Sequence, residues 1–243
     1  MNKKQLTSWS FSRYSSYRQC PLKARLAFIE RIKEPPNKAM ARGAAIHDLA
    51  EGYIKGTVAR LPKELGEFGG LFRRLRKQYK KKGHGMVVED MWAFTKEWDE
   101  TAWDNWTACW VRIKLDCAEH EDDKTLIIND WKTGKFRHEM SEDYIEQLEL
   151  YALAALLLHD HIETVKPRLV YLDQGSTYPK PGSDDEKALT FIRKDIPKLK
   201  KLWAKRVRPM LNDRIFAPRP NNRCCWCFYR KANAANGGGQ CKY

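Results

Sequence analysis

Two carboxylates and an amine stand at spacings suited to phosphodiester chemistry. Arg112-Ile-Lys-Leu-Asp116 is followed fourteen residues later by Asp130-Trp131-Lys132-Thr133-Gly134-Lys135. Residues two apart on a strand leave the same face, so Asp130 and Lys132 share a side, and a hairpin brings Asp116 beside them. Carboxylate oxygens suit Mg²⁺ or Mn²⁺, while a nearby lysine orients or deprotonates the attacking water or neutralises a phosphate in the transition state. With an ordinary pKa of about 10.4 that lysine acts as a cation, and only a depressed one serves as a base. Upstream, Gly43-Ala-Ala-Ile-His47 places a histidine, a common ligand of divalent metals, on a helix with Glu51 one turn on. Gln147 and Tyr151 repeat the i, i+4 spacing on the helix after the Asp-x-Lys strand. Read singly, each of these is an ordinary polar residue, and the case rests on their company.

The thiols form a second group. Cys224-Cys225-Trp226-Cys227 has C-x-x-C spacing, and Cys20 and Cys241 stand far from it in sequence. Seven cysteines, an odd number, read as metal ligands or free buried thiols rather than a disulfide framework in an intracellular chain. Cys109 and Cys117 fall in apolar runs and are expected in the core.

These residues need elements to position them. Capping residues from Ser10 predict a helix to Gln19, and Pro21 opens a second that runs to the Glu34-Pro35-Pro36 stop. Helices are also expected over Met40 to Ile54 and Leu65 to Lys82. Val87 to Phe94, Thr107 to Cys117 and Thr125 to Trp131 read as an antiparallel β-meander, with a polar turn from Glu119 to Lys124. Tyr144 to His159 is a Leu/Ala-rich helix. Arg168 to Leu172 and Ala188 to Ile192 suggest a hairpin around the turn-rich insertion Gly175 to Glu186, and Asp195 to Leu211 returns to a basic helix.

The chain of 243 residues carries a formal charge of +14, unevenly spread. Residues 1–42 hold ten Lys/Arg against two acids and residues 193–243 fourteen against two, leaving the middle with twenty-one against twenty-seven. Basic ends around an acidic middle fit phosphates gripped by the flanks of a carboxylate centre, or simple colloidal solubility. Nine Trp, ten Tyr and nine Phe argue against disorder. The longest apolar run, Leu150 to Leu158, falls short of a bilayer span, and no apolar leader follows the Met-Asn-Lys-Lys start, so the expectation is an intracellular protein without a membrane partner.

The whole arrangement resembles the PD-(D/E)XK nuclease superfamily, in particular its RecB-like branch of AddB-type and CRISPR-adaptation nucleases. Ser12-Arg-Tyr-Ser-Ser-Tyr-Arg-Gln-Cys20-Pro21-Leu22-Lys23 resembles the branch's opening helix, and Gly43-x-x-x-His47 its metal-binding histidine. Glu89 resembles a recurrent acidic position. Asp116 and Asp130-Trp-Lys132-Thr-Gly match its metal-binding acids and active-site lysine, and Gln147-Leu-x-x-Tyr151 its following motif. The resemblance implies an α/β (α+β) restriction-endonuclease-like core, a central mixed sheet flanked by helices. His47, Asp116, Asp130 and the main-chain carbonyl of Trp131 would hold Mg²⁺ or Mn²⁺, with Asp116, Asp130, Lys132, Gln147 and Tyr151 as catalytic residues. It also implies a [4Fe–4S] cluster on Cys20, Cys224, Cys227 and Cys241. This chain departs from the pattern in offering Cys225 as a competing ligand and in placing thirteen residues between Cys227 and Cys241. Zinc is the alternative occupant.

The reading is thus a single nuclease domain over 1–243, with a basic helical segment at 1–42, a catalytic core at 43–220 and a Cys-rich tail at 221–243. Its partner is DNA, single-stranded or with free ends, and the expected activity is exonucleolytic hydrolysis in recombination, replication or repair. The alternatives are a structure-selective endonuclease and a non-catalytic, metal-stapled DNA-binding protein on the same fold. Phosphate contacts are expected from 1–42, 73–82 and 193–231, with Tyr14, Tyr17 and Trp203 as rings for base stacking or, for Trp203, the core.

Overall fold

The computed structural model describes residues 5–82, 86–135 and 141–243; the Met-Asn-Lys-Lys start and the side chains of Lys82 and Ser141 lie outside that description. A six-stranded mixed sheet runs in the order β1-β2-β3-β4-β5, with β6 also pairing β4. Strands β1 (Val87–Phe94), β2 (Val111–His120) and β3 (Thr125–Lys132) form the expected antiparallel meander. β4 (Thr164–Tyr171) lies parallel to β3 and is reached through α5 (Ser141–Leu158), because parallel neighbours need a crossover. The short strands β5 (Ser176–Tyr178) and β6 (Phe191–Ile192) pair opposite ends of β4.

The two faces of the sheet bury different layers. On one, the almost wholly apolar second half of α5 packs with α1 (Phe11–Gln19) and α7 (Ile196–Asn212) around Trp9, Trp203 and Tyr171. On the other, α3 (Lys38–Lys55) and α4 (Gly69–Lys82) cover Val88, Cys117, Trp131 and Val170. A third, small cluster joins α2 (Pro21–Phe28) to the tail through Leu26, Phe228 and Tyr229.

Several expected boundaries move. α2 stops at Phe28 instead of reaching Pro35, and Arg31 follows with a left-handed φ of 58°. The Leu65 to Lys82 helix begins as a 3₁₀ turn, Lys63–Phe68, and becomes α4 only at Gly69. β2 starts at Val111 rather than Thr107 and continues through Glu119 and His120, since both remain paired with β3. The hairpin expected from Arg168 and Ala188 is replaced by Thr164 and Val165 pairing Ile192 and Phe191, with Ala188 ending α6 (Asp184–Ala188). No helix among the described residues is long and apolar enough to cross a membrane.

Candidate active site

Strand register assembles the first part of the site. Val88 pairs Cys117 and Asp90 pairs Leu115, which places Glu89 opposite Asp116. Cys117 pairs Asn129, so Asp116 and Asp130 adjoin where the β2–β3 pairing ends. There Asp116 Oδ2 accepts the Trp131 N–H at 2.7 Å. Above this corner α3 delivers His47, whose Nδ1 is 3.3 Å from Asp116 Oδ1 and 3.5 Å from Glu89 Oε1. Its Nε2 lies 3.1 Å from the main-chain oxygen of Trp131.

His47, Glu89 and Asp116 offer one ligand atom each, all within 4.8 Å of one another, and form the one such set of three or more donors among the described residues. One imidazole and two carboxylates suit a divalent cation. Burial opposes a charge on His47, but its contacts with Asp116 and Glu89 outweigh that and push its pKa up to about 10. Glu89 is held at a left-handed φ of 51°, a conformation that costs energy for a non-glycine residue and concentrates at functional sites. Lys114 Nζ holds its other oxygen, Oε2, at 2.7 Å. Lys114 was available from the sequence, since the period that aligns Asp130 with Lys132 also aligns residue 114 with Asp116.

The second part is a closed ring of polar contacts. Lys132 Nζ is 2.5 Å from Asp130 Oδ2 and donates to Gln147 Oε1 at 3.2 Å. Gln147 Nε2 donates to Tyr151 OH at 2.6 Å, and that hydroxyl donates to Asp130 Oδ1 at 3.2 Å. The i, i+4 spacing on α5 thus braces the Asp-x-Lys strand from the next element. Burial disfavours the charge on Lys132, yet Asp130 and Asp116 outweigh it and hold the ammonium above its ordinary pKa, so it serves as a fixed cation. Burial raises the pKa of Asp130 against the pull of Lys132. Burial, with Asp130 close by, keeps Tyr151 a hydroxyl donor. Asp130 therefore faces Lys132 and Tyr151 and lies outside the close His47–Glu89–Asp116 set, while Glu51 is taken by Lys55 at 2.6 Å.

The four expected thiols come together elsewhere. Cys20, Cys224, Cys227 and Cys241 line one cavity of about 540 Å³ between α2 and the tail. Backbone N–H groups of Arg219 and Asn221 approach Cys20 Sγ and Cys224 Sγ at 3.4 and 3.3 Å. Cys225 is absent from that lining and donates to Asn222 O at 3.0 Å. Cys109 and Cys117 are buried, as expected of core residues. Trp226 stands 86% exposed beside the cavity.

The basic surface is narrower than the charge count suggests. Arg18 pairs with Glu146, and Arg206 with Glu146 and Glu149, so these flank cations dock α1 and α7 onto α5. Tyr14 and Trp203 are buried, and Tyr17 OH donates to Asp213 at 2.8 Å, which removes Tyr14 and Trp203 as stacking platforms. Their burial follows from the aromatic cluster around Trp9, where Trp203 stacks at 5.3 Å. Arg73, Arg76, Lys77, Lys80 and Lys81 do line an open groove with Tyr53.

A model of the PD-(D/E)XK nuclease superfamily matches residues 8–232. No curated protein matches the chain. Among solved structures, a Eubacterium rectale protein provisionally named an exonuclease is similar with a TM-score of 0.46 and 12% identity, over 95% of this chain and 88% of that one. The structure of SSO0001 is similar with a TM-score of 0.39 and 13% identity, over 93% and 85%. Likenesses of that strength bear on neither substrate nor activity, and the family match carries the weight.

Proposed function

The chain belongs to the PD-(D/E)XK nuclease superfamily, and from that premise we infer that it is a Mg²⁺- or Mn²⁺-dependent deoxyribonuclease of the RecB-like, AddB-type branch. It acts as an exonuclease on single-stranded or end-bearing DNA in recombination, replication or repair, with residues 1–243 forming one nuclease domain. The observation that carries the reading is the closed ring of Asp130, Lys132, Gln147 and Tyr151 set beside the His47–Glu89–Asp116 donors.

His47, Asp116 and Glu89 would hold the metal, joined by Asp130 and the Trp131 carbonyl. The chemistry such an ion supplies is neutralisation of phosphate charge and a more acidic attacking water. Lys132, a cation fixed by Asp130 and Gln147, orients that water and offsets charge building on the phosphoryl oxygens. Tyr151 and Gln147 hold the carboxylate and ammonium in register, so that neither pays a reorganisation cost as the bond breaks. Lys114 keeps Glu89 turned toward His47.

Cys20, Cys224, Cys227 and Cys241 would hold a [4Fe–4S] cluster. The four thiols line one cavity and main-chain N–H groups approach two of the sulfurs, as suits a thiolate-ligated cluster, with tetrahedral zinc the alternative occupant.

The test is incubation of the purified protein with end-labelled single- and double-stranded DNA and either metal. Stepwise shortening from an end supports the exonuclease, and internal cuts support a structure-selective endonuclease. Binding with no cleavage under either metal would return the protein to the binding-only class.

A further inference from the structure

One cluster of charge has no part in that chemistry. Arg13, near the start of α1, and Arg112, near the start of β2, converge on a single hydroxyl. Arg13 Nη1 donates to Ser8 Oγ at 3.0 Å and to Ser8 O at 3.1 Å, while Arg112 Nη1 reaches the same Oγ at 3.4 Å. Burial and the charges of Arg112 and Arg31 hold the Arg13 pKa below its ordinary value. Seven other arginines, from Arg18 to Arg206, each pair with a carboxylate. Among the described residues, Arg13 and Arg112, like several other arginines such as Arg73 and Arg208, pair with no carboxylate; what sets these two apart is that both guanidinium groups, each partly buried, meet at one hydroxyl. Like charges held together and partly desolvated without a counter-charge destabilise one another, and arginine forks match phosphate geometry. An anionic ligand would offset that cost.

The position of the cluster says which anion. Arg13 and Arg112 line a cleft of about 430 Å³ whose walls also include Lys114, Gln147 and Tyr151 of the candidate active site. Arg112 and Lys114, two apart on β2, share a face, and Lys114 is tied at 2.7 Å to Glu89 of the donor set, so the cluster adjoins the candidate active site. Ser8 and Trp106 line an adjoining cavity of about 560 Å³ together with Arg13, Glu30 and Arg31, so Arg13 bridges the two and aromatic surface accompanies the charge. The Arg112 guanidinium lies 4.4 Å from the Trp106 ring centroid and 5.7 Å from that of Trp103, and Trp106 is 74% exposed. A cation beside an open indole ring is the chemistry that binds single-stranded nucleic acid through its phosphate and the face of its base. Arg112 also donates through Nε to the Trp103 carbonyl at 2.9 Å, which fixes the turn carrying both tryptophans but leaves the pairing with Arg13 without a structural purpose.

We propose that Arg13, Arg112 and Ser8 form a phosphate site for a single nucleic-acid strand, that Trp106 stacks the adjoining base, and that the site sets the strand's register in the catalytic cleft. The identity of the anion rests on the nuclease reading above. The phosphate is either internal to the strand or terminal.

The test uses the full chain in EDTA, with fluorescence anisotropy of short labelled oligothymidylates bearing one neutral methylphosphonate at successive positions. Parallel sets end in a 5′-phosphate, a 3′-phosphate or hydroxyls. Wild type loses about tenfold in affinity when the phosphate facing Arg13 is neutralised or removed. Arg13→Gln weakens the unmodified strand by about the same factor, lowers the salt slope by about 0.7, and no longer responds to that substitution. Response to an internal position assigns a backbone phosphate, and response only to loss of an end phosphate assigns terminal recognition. The proposal is overturned if Arg13→Gln keeps wild-type affinity and slope, or if its methylphosphonate profile matches wild type. A variant that is merely unstable weakens every position alike, leaves the profile intact and so also counts against the site. Binding with an Arg13-dependent position but no cleavage under metal would sink the nuclease reading alone; cleavage with no such position would sink this site alone.

Discussion

The candidate catalytic centre and the thiol module are built in opposite ways. The first sits on a sheet: Asp116, Asp130 and Lys132 occupy adjoining strands, and α3 and α5 add His47, Gln147 and Tyr151 from two sides of large apolar cores. The second consists of 3₁₀ turns and loop, and its apolar support is the small cluster of Leu26, Phe228 and Tyr229. In one region the fold positions the ligands. In the other, the group proposed for the four thiols would position the fold, as in small metal-tied domains whose binding energy is folding energy. Damage to the first should therefore cost activity with little stability, and damage to the second the reverse.

The largest expected effect is on chemistry. Asp130→Ala and Lys132→Ala should each lower cleavage by about 10³-fold or more, with DNA affinity measured without metal changing by less than about threefold, because the basic surface supplies the binding. Near-normal cleavage by either purified variant would break the assignment. Next comes the thiol region. Anaerobically purified protein should be brown, with broad absorption near 400 nm. Cys20→Ser should lose that colour and lower the melting temperature by several degrees more than Cys109→Ser does, since it releases the clamp between α2 and the tail. Equal melting shifts would erase the contrast between the regions, and colourless protein with stoichiometric zinc would keep the clamp but change its metal.

Two smaller effects sharpen the comparison. Glu89→Gln should raise the Mn²⁺ concentration for half-maximal cleavage by about tenfold, a change absent from Gln147→Ala, which disturbs the lysine instead. If both variants shift the metal requirement equally, the division between a donor set and a bracing ring fails. Trp226→Ala should alter stability by less than about 0.5 kcal/mol, because an 86% exposed ring contributes little to packing. A large loss of stability in thermal melts would mean that the module has more apolar support than the Leu26 cluster provides.

Much of this was legible in the chain. The strand period alone puts Asp130 and Lys132 on one face, and the hairpin between β2 and β3 follows from two β-branched runs around the polar turn that ends at Lys124. Gln147 and Tyr151 were legible by helical spacing, and the ring they close with Asp130 has the contacts that spacing allows. Less legible were the helix ends: Pro35 marks where α2 must have stopped, whereas Arg31 in the left-handed region shows that the chain turned earlier. Aromatic residues misled for a related reason, since Tyr14 and Trp203 sit among basic residues in sequence yet lie under the Trp9 cluster in space.

By itself the sequence determined the local facts: which side of a strand or helix a residue occupies, where apolar faces demand cover, and that the acids, the lysine and the thiols come as ordered sets. Such facts depend on backbone periods of two and 3.6 residues and on burial of apolar surface, which operate within one element. Only the tertiary structure decided the pairings between elements. The register of β1 on β2 makes Glu89 the partner of His47 and Asp116, and the docking of α1 against β2 sets Arg13 and Arg112 on the same Ser8 hydroxyl. Contacts of that kind depend on how whole layers slide and pack, and no spacing within a single segment encodes them.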